Sequence, residues 1–71
     1  MDWYYLNINR EGNPNQNYEV HISVCRYCPN AYNRIDLGIW NDGVEAVLHA
    51  KSLGYAGVDG CKHCCIEAHY E

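Results

Sequence analysis

Five cysteines stand in two short clusters, Cys25 with Cys28 and then Cys61, Cys64 and Cys65, in a chain of only 71 residues. A fold this small buries only about 60% of the surface its unfolded chain exposes, so its carbon core holds it marginally and a staple is expected. An odd number of cysteines fits a disulfide framework poorly. The start, Met1-Asp2-Trp3-Tyr4-Tyr5, has neither the basic nor the apolar segment of a secretory signal. The expectation is therefore a reducing, cytoplasmic compartment, where clustered thiols more often hold metal than pair with each other.

Composition narrows the function classes. Five Lys and Arg against nine Asp and Glu give a formal charge of -4. That balance disfavours general DNA or RNA binding, which depends on neutralising phosphates. Only Arg26, Arg34 and Lys62 lie near the cysteines in sequence, too few for a basic stripe. Hydrophobic residues reach 48%, which argues against disorder. No apolar run approaches the roughly 18 residues of a membrane span. A multi-domain enzyme is excluded by length, and a single stapled mini-domain over residues 1–71 is left.

Periodicity places the elements. Trp3 to Ile8 alternates like a strand, with Trp3, Tyr5 and Asn7 on one face and Tyr4, Leu6 and Ile8 on the other. Asn9 to Asn17, with Gly12 and Asn13-Pro14, reads as a hairpin or longer loop. Tyr18 to Val24 alternates again, with Tyr18, Val20, Ile22 and Val24 toward the core. Cys25 to Asn33 is irregular, and Ile35 to Trp40 forms a third strand interrupted by Gly38. Asp42 reads as a helix N-cap, with Glu45 in capping-box position. Val44, Val47, Leu48 and the stem of Lys51 make the helix's apolar stripe, with Ala50 and Leu53 beside it, and Gly54 closes it. A glycine-rich loop then leads to the cysteine knuckle, and Ile66 to Tyr70 adds a short helical turn. The expected fold is α+β: a small antiparallel sheet of about three strands, one main helix and a C-terminal cysteine knuckle, stapled by zinc.

Zinc takes four tetrahedral ligands, usually as two short-spaced pairs brought together by folding. Cys61-x2-Cys64 is one such pair, and the preceding Gly60 suits a tight backbone. Two partner pairs are open. Cys25-x2-Cys28 completes a four-cysteine ribbon by spacing, and His21-x3-Cys25 is the alternative. Four residues of straight strand span about 13 Å, so the His21 pairing requires the strand to bend around Ser23–Cys25. Without a metal, His21 is a solvated strand histidine and Cys28 a small apolar filler beside Pro29.

The segments Glu19-Val20-His21-x3-Cys25, Asn33-Arg34-x2-Leu37-Gly38, Ala46-x3-Ala50-Lys51 and Gly60-Cys61-x2-Cys64-x4-His69 resemble a group of small bacterial proteins with these motifs in this order. More distantly, the pattern is similar to Ada-type zinc-binding domains and to zinc modules attached to bacterial nucleases. Some of the bacterial proteins carry a cysteine just before the final histidine, where this chain has Ala68. The resemblance implies one structural Zn²⁺ on His21, Cys25, Cys61 and Cys64, with Cys28 and Cys65 outside the motif.

The function expected from this is a structural zinc module, not an enzyme, whose surface meets another macromolecule, with protein favoured over nucleic acid and no membrane role. The alternative is a thiol-reactive domain, either Ada-like and methyl-accepting or redox-active. His69 stands as a neighbour of the ligands or a spare one, and His49 as an exposed helix residue. Trp3, Tyr4 and Tyr5 are candidates for a partner surface.

Overall fold

The computed structural model describes residues 1–9 and 17–69. Most of the hairpin or loop segment expected between Asn9 and Asn17, and Tyr70 of the last turn, lie outside these residues. Three strands form where alternation places them: β1 (Asp2–Asn7), β2 (Tyr18–Ile22) and β3 (Arg34–Trp40). β1 is central and pairs antiparallel with both β2 and β3. The register places Tyr4 and Leu6 on one face with Val20 and Ile22, and Tyr5 and Asn7 on the other with His21 and Glu19.

Gly38 marks an irregularity in β3. Tyr4 pairs with Gly38 and Tyr5 with Asp36, so Leu37 is the extra residue of a bulge. Gly38 has φ 89°, a left-handed conformation that glycine adopts without a Cβ clash. The bulge turns Leu37 into the core, where it is buried.

The single main helix, α1 (Gly43–Ser52), begins at Asp42, whose side chain accepts from the Glu45 amide at 3.0 Å. Glu45 answers one residue earlier than a capping box requires: its Oε1 accepts from the Asn41 amide at 3.0 Å. The helix ends at Leu53, followed by Gly54 at φ 100°, whose amide bonds the Lys51 carbonyl at 3.0 Å. Its buried face differs from the expected stripe. Gly43, Ala46, Val47 and Ala50 are buried, whereas Leu48 is 59% exposed and Leu53 50% exposed. Small side chains at i, i+3 and i+7 let the helix backbone approach the sheet, so the leucines are rotated away from it.

A fourth strand, β4 (Val58–Gly60), corrects the expected three-stranded antiparallel sheet. It lies in the segment read as a glycine-rich loop and pairs parallel with β2, giving a mixed sheet in the order β3-β1-β2-β4. A parallel neighbour needs a crossover, and β3 with α1 supplies it. The core between sheet and helix holds Tyr4, Leu6, Val20, Leu37, Ala46, Val47, Ala50, Val58, Cys65 and Ala68. A C-terminal 3-10 turn (Ile66–Ala68) closes the end of this layer. No helix of the described residues is long and apolar enough to cross a membrane.

Candidate metal centre

Because β2 and β4 run in the same direction, their carboxyl ends lie side by side. β2 ends at Ile22, and a tight turn follows in which the Cys25 amide bonds the Ile22 carbonyl at 3.0 Å. This is the bend that the His21-x3-Cys25 pairing requires. It also corrects Val24, which sits on the turn 84% exposed instead of in the core. On the other strand, the Cys61 amide continues the ladder to the Val20 carbonyl at 2.9 Å, and the Cys65 amide then turns back to the Cys61 carbonyl at 2.8 Å.

The two turns deliver four donors to one place. One ligand atom each from His21, Cys25, Cys61 and Cys64 lies within 4.8 Å of every other, close enough to hold a metal ion. His21 and Cys61 are buried, and Cys25 and Cys64 half-buried. Each sulfur also accepts a backbone amide at 3.4 Å: Tyr27 to Cys25, His63 to Cys61 and Ile22 to Cys64. Amide donors aimed at sulfur favour its anionic form, the form that binds metals.

The electrostatics of the cluster suit a cation. Burial pushes the Cys61 thiol up, and pushes Cys64 far above the usual thiol range. At Cys25 burial also raises the pKa, but the nearby His21 and the Tyr27 amide outweigh it and hold the thiol below its ordinary value. Three sulfurs this close cannot all ionise without a positive charge among them. His21 has the complementary need. It is 2% exposed, and neither ring nitrogen has a hydrogen-bond partner. Glu19 Oε1 stands 3.5 Å from Nε2 without an aligned bond. An imidazole buried this deeply with both nitrogens unused is costly, and a metal on one of them removes the cost.

The other candidates fall elsewhere. Cys28 is outside the group, half-buried, with its sulfur 3.9 Å from Arg34 Nη1. Cys65 is fully buried in the core, its sulfur 3.8 Å from that of Cys64, and burial raises its pKa to about 11. His69 is outside the group: its Nδ1 lies 3.0 Å from the Gly60 carbonyl and 3.2 Å from Asp59 Oδ2. His49 stacks on Trp40 with ring centroids 4.8 Å apart. Among the described residues no second group of three metal-binding side chains occurs. Of the first aromatics, Tyr4 is core, whereas Trp3 and Tyr5 stack at 6.5 Å on the face away from the helix, with Arg34 4.2 Å over the Tyr5 ring.

Three supporting features escaped the sequence. Tyr27 and His63 each follow a cysteine of the group by two residues, and their rings stack with centroids 4.4 Å apart, tying one knuckle to the other. The shared Cys-x-aromatic spacing was the available signal. Gly60 is needed for a reason other than its backbone angle. A Cβ there would lie 2.7 Å from the Cys65 carbonyl oxygen and 2.8 Å from the Ala68 Cβ, so only glycine lets the tail cross β4 this closely. Gly43 plays a similar part at the helix start, where its amide bonds Glu67 Oε1 at 2.8 Å and Cys65 packs against it. No protein family, curated protein or solved structure matches the chain.

Proposed function

We propose that the chain is a structural zinc-binding mini-domain, an accessory or protein-interaction module and not an enzyme. The observation that carries this reading is the convergence of three sulfurs and one buried, unpartnered imidazole within 4.8 Å. That donor set suits a borderline-soft ion and is poorly matched to hard cations, which take oxygen ligands. His21, Cys25, Cys61 and Cys64 would hold the ion; when bound, it supplies charge neutralisation and a cross-link. Three thiolates and a neutral imidazole complete a tetrahedral shell, leaving no position for a reacting water. The motif resemblance to small bacterial proteins supports zinc on these four residues, while the Ada-type likeness also accommodates the thiol-reactive alternative. The formal charge of -4 favours a protein partner over a nucleic acid.

The energetic reason for such a site is the size of the chain. Structural zinc binds with apparent energies of about 10–16 kcal/mol, as large as the whole stability of an ordinary domain. Native mass spectrometry of freshly purified protein should show one zinc per chain, kept by Cys28→Ala and weakened in His21→Ala. Chelation should collapse the far-ultraviolet circular dichroism. A metal-free protein with an unchanged spectrum after chelation would end this reading, and zinc lost from Cys28→Ala but kept by His21→Ala would move the site to four cysteines.

One observation favours thiol chemistry as a second reading: Cys25 is half-buried and its thiol is held below the ordinary range. Alkylation of the zinc-loaded protein separates the two. Rapid modification at Cys25 supports a reactive thiolate, and slow modification of Cys25, Cys61 and Cys64 supports a closed structural site.

A further inference from the structure

We propose that His21 binds the metal through Nδ1, and that Glu19 is the positioning residue that fixes this choice by accepting a hydrogen bond from Nε2–H. The inference rests on the zinc reading above and adds which ring nitrogen is used and what holds the ring.

The two nitrogens of an imidazole point in roughly opposite directions, so one cannot face both a carboxylate and a metal. In β2, Glu19 and His21 are two residues apart and therefore share a face. Glu19 precedes His21 along the strand, whereas Cys25 follows the end of β2 and Cys61 follows the end of β4. The carboxylate thus approaches the ring from behind and the sulfurs from ahead. The distances agree: Glu19 Oε1 is 3.5 Å from Nε2, yet Glu19 stands outside the group whose donors lie within 4.8 Å of one another. Nε2 is the nitrogen turned toward Glu19, which leaves Nδ1 for the ion. The same assignment resolves both unpartnered atoms of a side chain that is 2% exposed. Metal on Nδ1 fixes the proton on Nε2, and a small closure of the 3.5 Å gap completes a carboxylate–histidine–metal relay.

The test is a long-range proton–nitrogen NMR spectrum of zinc-loaded protein carrying ¹⁵N-histidine, read alongside zinc affinity from chelator competition. The expected spectrum shows His21 protonated at Nε2 with Nδ1 on the metal. Glu19→Gln, whose amide oxygen still accepts, should preserve that pattern and most of the affinity. Glu19→Leu should weaken zinc binding roughly 10–100-fold and broaden or shift the Nε2–H signal. A wild-type spectrum with zinc on Nε2 overturns the proposal while leaving the zinc site intact. So does Glu19→Leu with wild-type affinity, or an equal loss in Glu19→Gln and Glu19→Leu, which would mark a requirement for charge or packing instead of the hydrogen bond. If wild-type protein binds no zinc, the reading it rests on fails first.

Discussion

On the helix side of the sheet, Leu6, Val20, Leu37, Val47 and Val58 exclude water with hydrocarbon, and α1 approaches closely through Ala46 and Ala50. At the carboxyl ends of β2 and β4, His21, Cys25, Cys61 and Cys64 crowd polar, ionisable atoms into a space where two of the four are buried and two half-buried. Both regions share β2: Val20 belongs to the first and His21 to the second. The first region needs no polar partner, because buried carbon is satisfied by carbon. The second holds an imidazole whose two buried nitrogens have no hydrogen-bond partner, a cost that a cation on one of them would remove. A chain too short for a larger core can therefore be closed at one end by packing and at the other by coordination.

Four substitutions or conditions test that division, all in zinc-loaded protein. Leu6→Ala opens a cavity in the packed region and should cost about 2–5 kcal/mol in denaturant unfolding, with zinc stoichiometry unchanged. If zinc is lost with it, the two regions are one. Alkaline pH probes the same core through Tyr4, which is 3% exposed and whose pKa burial raises from 10.0 to about 12. The folded state keeps its proton while the unfolded chain loses it, so stability is full below about pH 10 and falls by roughly 2–3 kcal/mol toward pH 12. Tyr4→Phe should flatten that part of the pH–stability curve.

Gly60→Ala strikes the border between the regions. Its Cβ meets backbone atoms of Cys65 and Ala68, which cannot swing aside like a side-chain tip. A loss of about 1–3 kcal/mol is expected, together with faster zinc release to a chelator as the tail lifts. Unaltered release would separate the tail from the metal end. The smallest effect belongs to Leu48→Lys, within about 0.5 kcal/mol by thermal unfolding, because Leu48 is 59% exposed. A large loss there would restore the apolar stripe read from the sequence.

Much of this division was legible beforehand, and the exceptions have physical causes. Alternation marked β1 because it buries Tyr4 and Leu6 between more exposed neighbours, and it marked β2 through its apolar residues although His21 on the other face is buried as well. Asp42 and Gly54 marked the helix ends because capping is local chemistry. The four donors of the cluster could be singled out by short spacings and the motif resemblance, once a bend after Ile22 was allowed. β4 was hidden because Val58-Asp59-Gly60 is too short to show a period and is made a strand only by pairing with β2. The helix face was misjudged because side-chain size suggested Leu48 and Leu53, while close approach to the sheet selects alanine. The burial of Cys65 in the core depends on which segments meet in space, and sequence neighbours do not reveal that.

The parallel seating of β4 also governs how the molecule must assemble. Among the described residues its one strand neighbour is β2, reached after the chain has laid down β3 and α1, and three residues of ladder give little return for closing so long a loop. The hairpin and helix can collapse early on local contacts, leaving the last strand undocked. Docking then waits on whatever draws the two knuckles together, so the rate of the final folding step should rise with free zinc while the earlier steps ignore it.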